Sequence, residues 1–297
     1  MNKVILNPKN YKEKYIGFLN QCFPNWGGIT QYNWVFERKI GIHQSDILLL
    51  TNESDEVIAG SGITYRNIKT ENDSLLTIGT FTGSWTLPKA RGRGCFSQII
   101  QEFIKLCEFK GIDYLTAFVT ESNASYRRFK SIGSSTLQAD NIFSDVNKLY
   151  EVENKEVIEY NLDSKLTYRD YTGFINKNSG YFYNEKEFIN QYINRPIGTY
   201  SIKIGNTKYI LEENELTLRV LYMSQFNINH IKILSNWSKV KKNKKIMFFS
   251  SNKEHIALVK KNDFIIVPSF FTINKINNTL NESEDFKSFN IALADKM

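Results

Sequence analysis

No run of about 18 apolar residues occurs in the chain, so the sequence offers no membrane-spanning helix. Its first residues, MNKVILNPKNYKEKY, lack the apolar centre of a secretory signal, and a cytoplasmic location is expected. Cysteine is scarce. Cys22, Cys95 and Cys107 are odd in number, far apart and free of C-x-x-C spacing, which argues against a disulfide framework and against a zinc site. The three histidines, His43, His230 and His255, are equally scattered, and no metal is expected. A G-x-x-x-x-G-K-[ST] loop is absent, and no segment repeats another residue by residue.

What is present is ample core material. The chain has 297 residues, 41% of them hydrophobic, and this length suits two domains of roughly 150 residues each. Aromatic residues make up 14%, enough to build cores and to line a pocket for a large ligand. The net charge of +7 is compatible with a phosphorylated partner. Part of it comes from Lys239, Lys241, Lys242, Lys244 and Lys245, which read as a solvated turn between two structured elements. A nucleic-acid partner would rest on that charge alone and is not expected.

Residues 11–22 carry helical apolar spacing, and 23–34 read as a loop. Strands are expected over 46–51, 57–69 and 75–87, forming an antiparallel meander. After Pro88 a glycine-bearing loop opens a helix with apolar positions Ile99, Ile100, Phe103, Ile104 and Cys107, stopped by Gly111. Residues 114–119 are apolar throughout, as in a strand buried on both faces. A short helix follows from 123 to about 130, closed by Gly133. Residues 151–159 read as a linker, which divides the chain into domains 1–150 and 151–297. The second domain is expected to hold a short helix at 188–193 and strands at 200–204, 209–212, 216–223, 245–250 and 264–267, with 277–297 a loose polar tail. The order of elements in the two halves is similar.

The informative stretch runs from Trp85, Thr86 and Leu87 through Pro88 to Arg91, Gly92, Arg93, Gly94, Cys95, Phe96 and Ser97. A strand ends, a loop with two glycines turns, and a helix begins. Such a turn aims several backbone N–H groups at one point, at the positive end of a helix dipole, where a diphosphate fits. Glycine lets the backbone approach the oxygens closely, and Arg91 and Arg93 add charge-assisted bonds. A dinucleotide fingerprint fails here: Ser97 stands where its third glycine belongs, and Val119-Thr120 where its acidic residue belongs.

The run from Arg91 to Cys95 matches R-x-x-G-x-(G/A), the coenzyme A (CoA) signature of the GNAT acyltransferase superfamily, with Phe96 in place of the final small residue. The stretch Ser122-Asn123-Ala124-Ser125-Tyr126 to Gly133 resembles that family's next helix. The resemblance implies an α/β fold with a mixed, mostly antiparallel GNAT-type sheet flanked by helices. A second, degenerate GNAT-like α/β domain would follow and help form the acceptor site. It implies that Trp85, Thr86 and Leu87 bind the pantetheine arm through the backbone. Residues Arg91 to Ser97 would hold the diphosphate, Asn123 would contact pantetheine, and an N–H near Trp85 would polarise the thioester carbonyl. Cys95 reads as packing behind the diphosphate rather than as a nucleophile.

The implied activity is N-acyl transfer from acyl-CoA, either acetyl-CoA or a short hydroxyacyl-CoA, to the amine of a small acceptor. The family's usual tyrosine position, four residues before Gly133, is Phe129, which cannot donate a proton. Tyr126 and Glu121 are the nearest acid and base candidates, and Ser84 is the polar contact for the acceptor or tetrahedral intermediate. A capping or solvated role for Glu121 stays open. Trp26, Tyr32 and Trp34 offer stacking surfaces for the acceptor, with core packing as the alternative. The acceptor expected is a nucleotide-linked amino sugar used in surface-polysaccharide synthesis. A protein lysine, polyamine or aminoglycoside is the alternative acceptor, and a CoA-binding sensor without turnover the alternative class. Homodimerisation stays open.

Overall fold

In a computed structural model the described residues are 2–38, 40–153, 155–161, 163–175, 179–286 and 288–296. The chain begins with β1 (Lys3–Leu6), α1 (Lys12–Cys22) and a short α2 (Ile29–Tyr32) that runs on as a π turn over Asn33–Glu37. An antiparallel meander follows: β2 (Asp46–Thr51), β3 (Val57–Lys69) and β4 (Leu75–Thr86). Then come α3 (Cys95–Lys110), β5 (Tyr114–Thr120), α4 (Ala124–Ser131), β6 (Ser135–Gln138) and β7 (Asp140–Phe143). The expectations for this region hold to within a residue or two, except that 29–37 is helical rather than loop. Helix α3 forms because Ile99, Ile100, Phe103 and Cys107 share one fully buried face, and it stops at Gly111, whose φ of 66° suits a residue without a Cβ.

The second half repeats the plan. Its elements are β8 (Val157–Tyr160), α5 (Ser164–Ile175), β9 (Gly180–Phe182), α6 (Glu185–Phe188) with a π turn over Ile189–Ile193, β10 (Tyr200–Ile204), β11 (Thr207–Glu213) and β12 (Thr217–Met223). Then follow α7 (Ile228–Lys242), β13 (Lys245–Ser250), α8 (Lys253–Lys261), β14 (Ile265–Val267), β15 (Ser269–Lys275) and α9 (Glu282–Asp285), with a final 3-10 turn over Leu293–Lys296. The lysine run is the last turn of α7 and the start of β13, where cations face the negative end of the helix dipole. Residues 157–159 of the expected linker lie in β8, which pairs with β10, and residue 154 lies outside the described residues.

The first sheet has the order β1-β2-β3-β4-β5-β15-β6, with β9 also paired to β3; the second has the order β14-β7-β13-β12-β11-β10-β8. The two sheets exchange strands. β15, from the end of the chain, lies between β5 and β6, and β7, from the first half, lies between β13 and β14. Among the described residues each sheet has one parallel pair, β4 with β5 and β12 with β13.

A core under α3 joins Phe81, Phe103, Leu115 and Phe129, and another on the opposite face joins Tyr15, Leu19, Phe36 and Trp85. A third, between the halves, gathers Tyr181, Tyr183, Phe188, Tyr192, Phe271, Phe286 and Phe289. This corrects the reading of 277–297 as a loose tail: Phe286, Phe289, Ile291, Leu293 and Ala294 are buried. Residues 287 and 297 of that segment lie outside the described residues.

Candidate active site

Strands β4 and β5 pair over three positions only, Ile78 with Tyr114, Gly79 with Leu115 and Thr80 with Thr116. Beyond that point they part, so Phe81 to Thr86 and Ala117 to Thr120 flank a V whose inner backbone groups have no partner in the opposite arm. The crotch is polar: Thr80 Oγ1 lies 2.9 Å from Thr116 Oγ1, and the Thr116 hydroxyl donates to Gly79 O at 3.2 Å. Side-chain pairing of buried hydroxyls stabilises this point, because an unmet hydroxyl there would cost about 1–3 kcal/mol.

A bulge shapes the arm formed by β4. Gly60 pairs with Trp85 and Gly62 with Thr82, so Gly83 and Ser84 together face Ser61. Gly83 has φ of 61°, the left-handed conformation expected of a glycine in a bulge. The extra residue reverses the facing of the strand. Phe81 packs under α3, whereas Trp85 packs against α1, stacked on Phe18 at 4.8 Å. Ser84 Oγ is 2.7 Å from Ser61 Oγ.

The glycine loop opens at the end of this arm. Arg91, Gly92, Arg93 and Gly94 are exposed, and Arg91 Nε donates to Thr86 O at 3.3 Å. Gly92 and Gly94 have φ of 78° and 77°, and a Cβ at either would meet nothing within 4 Å. The first bond of α3 runs from Gln98 N–H to Gly94 O, which leaves the amides of Cys95, Phe96 and Ser97 without helical acceptors. No side chain caps them. Three uncapped amides, a helix dipole and two exposed arginines suit a diphosphate. Burial pushes the Cys95 thiol pKa up, which keeps it protonated and agrees with its reading as packing.

Asn123 caps α4, its Oδ1 accepting from Ser125 N–H at 3.1 Å. Glu121 is exposed in the turn after β5. Tyr126 stacks on Phe270 at 4.7 Å. These three follow β5 at the end of the sheet where the V opens. Phe129 is wholly buried, edge-on to Phe81 and Phe96. Trp26 and Tyr32 lie on the α1 side of the sheet, each packed on Phe36. Tyr32 also borders a cavity of about 380 Å³ together with Tyr11, Tyr15, Glu37, Asp46 and Lys110. Trp34 belongs to the same apolar cluster and also reaches across the seam to the second half, its Nε1 donating to Asn190 O at 3.0 Å.

The second sheet has the same parting without the same cradle. β12 and β13 pair from Thr217 with Lys245 to Arg219 with Met247 and then diverge. At the start of α7, Asn227 Oδ1 accepts from the amides of Asn229 and His230 at 3.0 and 3.1 Å, so the helix meets its own N–H groups. Phe226 and His255 stack at 3.8 Å, and residues 290–293 and Asp295 border the gap. Among the described residues no cluster of three or more potential ligands could hold a metal ion, and no helix is long and apolar enough to cross a membrane.

No family model and no curated protein matches the chain. Solved structures do. A GCN5-related N-acetyltransferase from Anabaena variabilis is similar over 93% of this chain and 73% of its own, at TM-score 0.65 and 14% identity. A tandem GNAT protein from the clavulanic acid biosynthesis pathway is similar over 93% and 99%, at TM-score 0.62 and 9% identity. The fold is the tandem GNAT fold. A Saccharomyces cerevisiae N-myristoyltransferase solved with myristoyl-CoA is similar over 92% and 79%, at TM-score 0.62 and 9% identity. The tandem GNAT fold accounts for the two partings, of which the first alone keeps an uncapped helix start. Sequence reasoning missed the pairing of Thr80 with Thr116 at the crotch, because hydroxyls on a strand carry no spacing signal. It also missed the arginines at the seam, Arg38, Arg66 and Arg195, which are distant in sequence.

Proposed function

We propose that this protein is an N-acyltransferase that moves an acyl group from acyl-CoA to the amine of a small acceptor. The observation that carries the reading is the uncapped start of α3 at the mouth of the β4/β5 V. The amides of Cys95, Phe96 and Ser97, with Arg91 and Arg93, bind the diphosphate. The backbone of Trp85, Thr86 and Leu87, on the side not taken up by β3, would bind the pantetheine arm, and Asn123 Nδ2 would border it from the other side. The thioester then reaches toward Thr80 and Thr116. The acceptor nitrogen attacks the carbonyl carbon, an N–H of the β4 arm near Trp85 stabilises the oxyanion, and the C–S bond breaks. The amine loses one proton and the departing thiolate gains one. With Phe129 unable to donate, the thiolate takes its proton through water, with Glu121 and Tyr126 on the rim and Ser84 as a polar contact.

The first domain, 1–150, would supply the CoA site, and 151–297 would help enclose the acceptor. An amino sugar, free or nucleotide-linked, is the acceptor we favour, and Trp26, Tyr32 and Trp34 would offer it stacking surfaces. A protein lysine or polyamine is the alternative. Release of free thiol from acetyl-CoA and from a hydroxyacyl-CoA, measured across amino sugars, polyamines and lysine peptides, tests the reading. Absence of CoA binding by calorimetry overturns it. The burial of Phe129 favours one second reading, a CoA sensor: tight CoA binding with no thiol release for any amine would select it.

A further inference from the structure

Three arginines meet where the two halves join. Arg66, on β3, is 1% exposed. Its Nη1 donates to Asp295 O at 2.9 Å and to the Tyr183 hydroxyl at 3.3 Å, while its Nη2 is buried without an acceptor. Arg38 follows the first π turn and lies 3.5 Å over the Trp34 ring. Its Nη1 is closed off from solvent and has no acceptor, and among the described residues no carboxylate pairs with it. Arg195, at the matching place after the second π turn, lies 4.4 Å from the same ring.

The carboxylates nearby are already committed. Glu212 gives one oxygen to Arg195 Nε at 2.6 Å and the other to Arg219 Nη1 at 2.9 Å. Asp295 Oδ1 accepts from the Tyr183 and Tyr192 hydroxyls at 3.0 and 2.9 Å, and its Oδ2 from Ala292 N–H at 2.8 Å. Of the three guanidiniums only Arg195 bonds a carboxylate among the described residues, and it shares Glu212 with Arg219; Arg66 meets the Asp295 carbonyl and not its carboxylate. Arginine cannot shed its proton to relieve this. Arg38 is half-buried, and a charge partly withdrawn from water with no carboxylate partner is costly, the more so beside like charges. Burial, with Arg66 and Arg195 close by, holds the Arg38 pKa well below its usual range.

Its position bears on the reaction. Arg66 pairs in register with Ile78, and Thr64, two residues earlier on the same face of β3, lies 3.3 Å from Thr82 at the β4 arm. Two residues along a strand are about 7 Å. A group held at Arg66 is thus about one small molecule away from the crotch of the V, on the sheet face opposite α3.

We propose that Arg38 and Arg66 receive an anionic group of the acceptor, a carboxylate or a phosphate, and so place its amine at the V; this rests on the acyltransferase reading. Arg66 Nη2 and Arg38 Nη1, which lack acceptors among the described residues, would each donate to its oxygens. The acceptor class is then an amine that carries its own negative charge.

The test begins with acetate and phosphate as probes, titrated against chloride at constant ionic strength with saturating CoA present so that the diphosphate cradle is filled. A probe at about ten times its Kd should raise the wild-type Tm by about 3 °C. Arg38→Gln should lose this rise and, in chloride alone, should melt above wild type because an unpaired charge is gone. Arg38→Lys, which keeps the charge without the fork, should retain part of the rise. Whichever probe acts distinguishes carboxylate from phosphate. In the thiol-release assay, amines paired by charge, glucosamine 6-phosphate with glucosamine and an amino acid with its amide, should show a preference for the charged member. Arg38→Gln should reduce that preference tenfold or more with the CoA Kd unchanged. Equal rises in wild type and Arg38→Gln, or an Arg38→Gln protein that melts lower in every salt, overturn the anion site while leaving CoA binding intact. A probe-specific rise without thiol release for any amine retains the anion site and overturns acyl transfer.

Discussion

Gly94→Ala separates the backbone conformation of the cradle from its contacts. Gly94 has φ of 77°, and an added Cβ there meets no protein atom within 4 Å, so the substitution brings no steric clash. It brings backbone strain. An L-residue in the left-handed region costs about 1–2 kcal/mol, which in a protein of this size lowers Tm by about 2–8 °C. The loop relieves that strain by turning away from φ of 77°, and the amides of Cys95, Phe96 and Ser97 turn with it. Losing one charge-assisted bond to the diphosphate weakens CoA by about 1.5–3 kcal/mol, roughly 10- to 150-fold in Kd. The control is Gly198→Ala. Gly198 has φ of 82° and equally open space but lies between the second π turn and β10. Calorimetric titration of CoA into both variants, with Tm measured in parallel, reads the two effects. Equal Tm losses with weakened CoA only for Gly94→Ala are expected. Unchanged CoA affinity for Gly94→Ala, or equal weakening by both variants, refutes the cradle.

Other consequences follow from single contacts. Arg91→Ala should weaken CoA by about 1.5–3 kcal/mol without loss of Tm, since the side chain is exposed and its one recorded bond is to Thr86 O; calorimetry reads it. Gly62→Ala would place a Cβ 2.3 Å from the Phe36 ring and should destabilise the protein by about 1–3 kcal/mol in urea titration. Burial raises the Asp295 pKa to about 6, above the value of about 3.9 in an unfolded chain. The folded protein therefore keeps a proton that the unfolded chain has lost between about pH 4 and 6. The stability this residue contributes falls by about 3 kcal/mol as pH rises through that window and is level above it. Asp295→Asn should abolish that fall; a stability difference between the two proteins that is the same at pH 4, 5, 6 and 7 would refute it.

The first half was legible because its signals are local. The apolar run of β2, the apolar face of α3 and the glycine loop each lie within a dozen consecutive residues. The rest was hidden for three physical reasons. The π turns at 33–37 and 189–193 close on i→i+5 bonds, for which residue types carry no distinct signature. The segment 286–294 buries Phe286, Phe289, Ile291 and Leu293 at irregular spacing, and irregular burial looks like loop when read against periods of 2 or 3.6. α7, by contrast, could have been read: Ile231, Leu234 and Ser238 fall on one buried face at helical spacing, but lysine and asparagine around them drew attention to charge. At the site, the cradle was visible because one short segment builds it. The crotch pair Thr80 and Thr116 and the arginines at the seam draw on distant parts of the chain that only the fold brings together.

The exchange of β7 and β15 sets an order on how the molecule is made. A nascent chain that has emerged only as far as residue 150 already carries the glycine loop and both arms of the V, yet the outer edge of β5 is bare and β7 has no sheet to join. Seven residues of that edge wait for Ser269–Lys275, synthesised more than a hundred positions later. Until then an apolar strand with open hydrogen-bonding groups is exposed to any passing chain. Neither half can be cut free with its sheet intact, so both arms of the V gain their full set of neighbours only once β15 has been made.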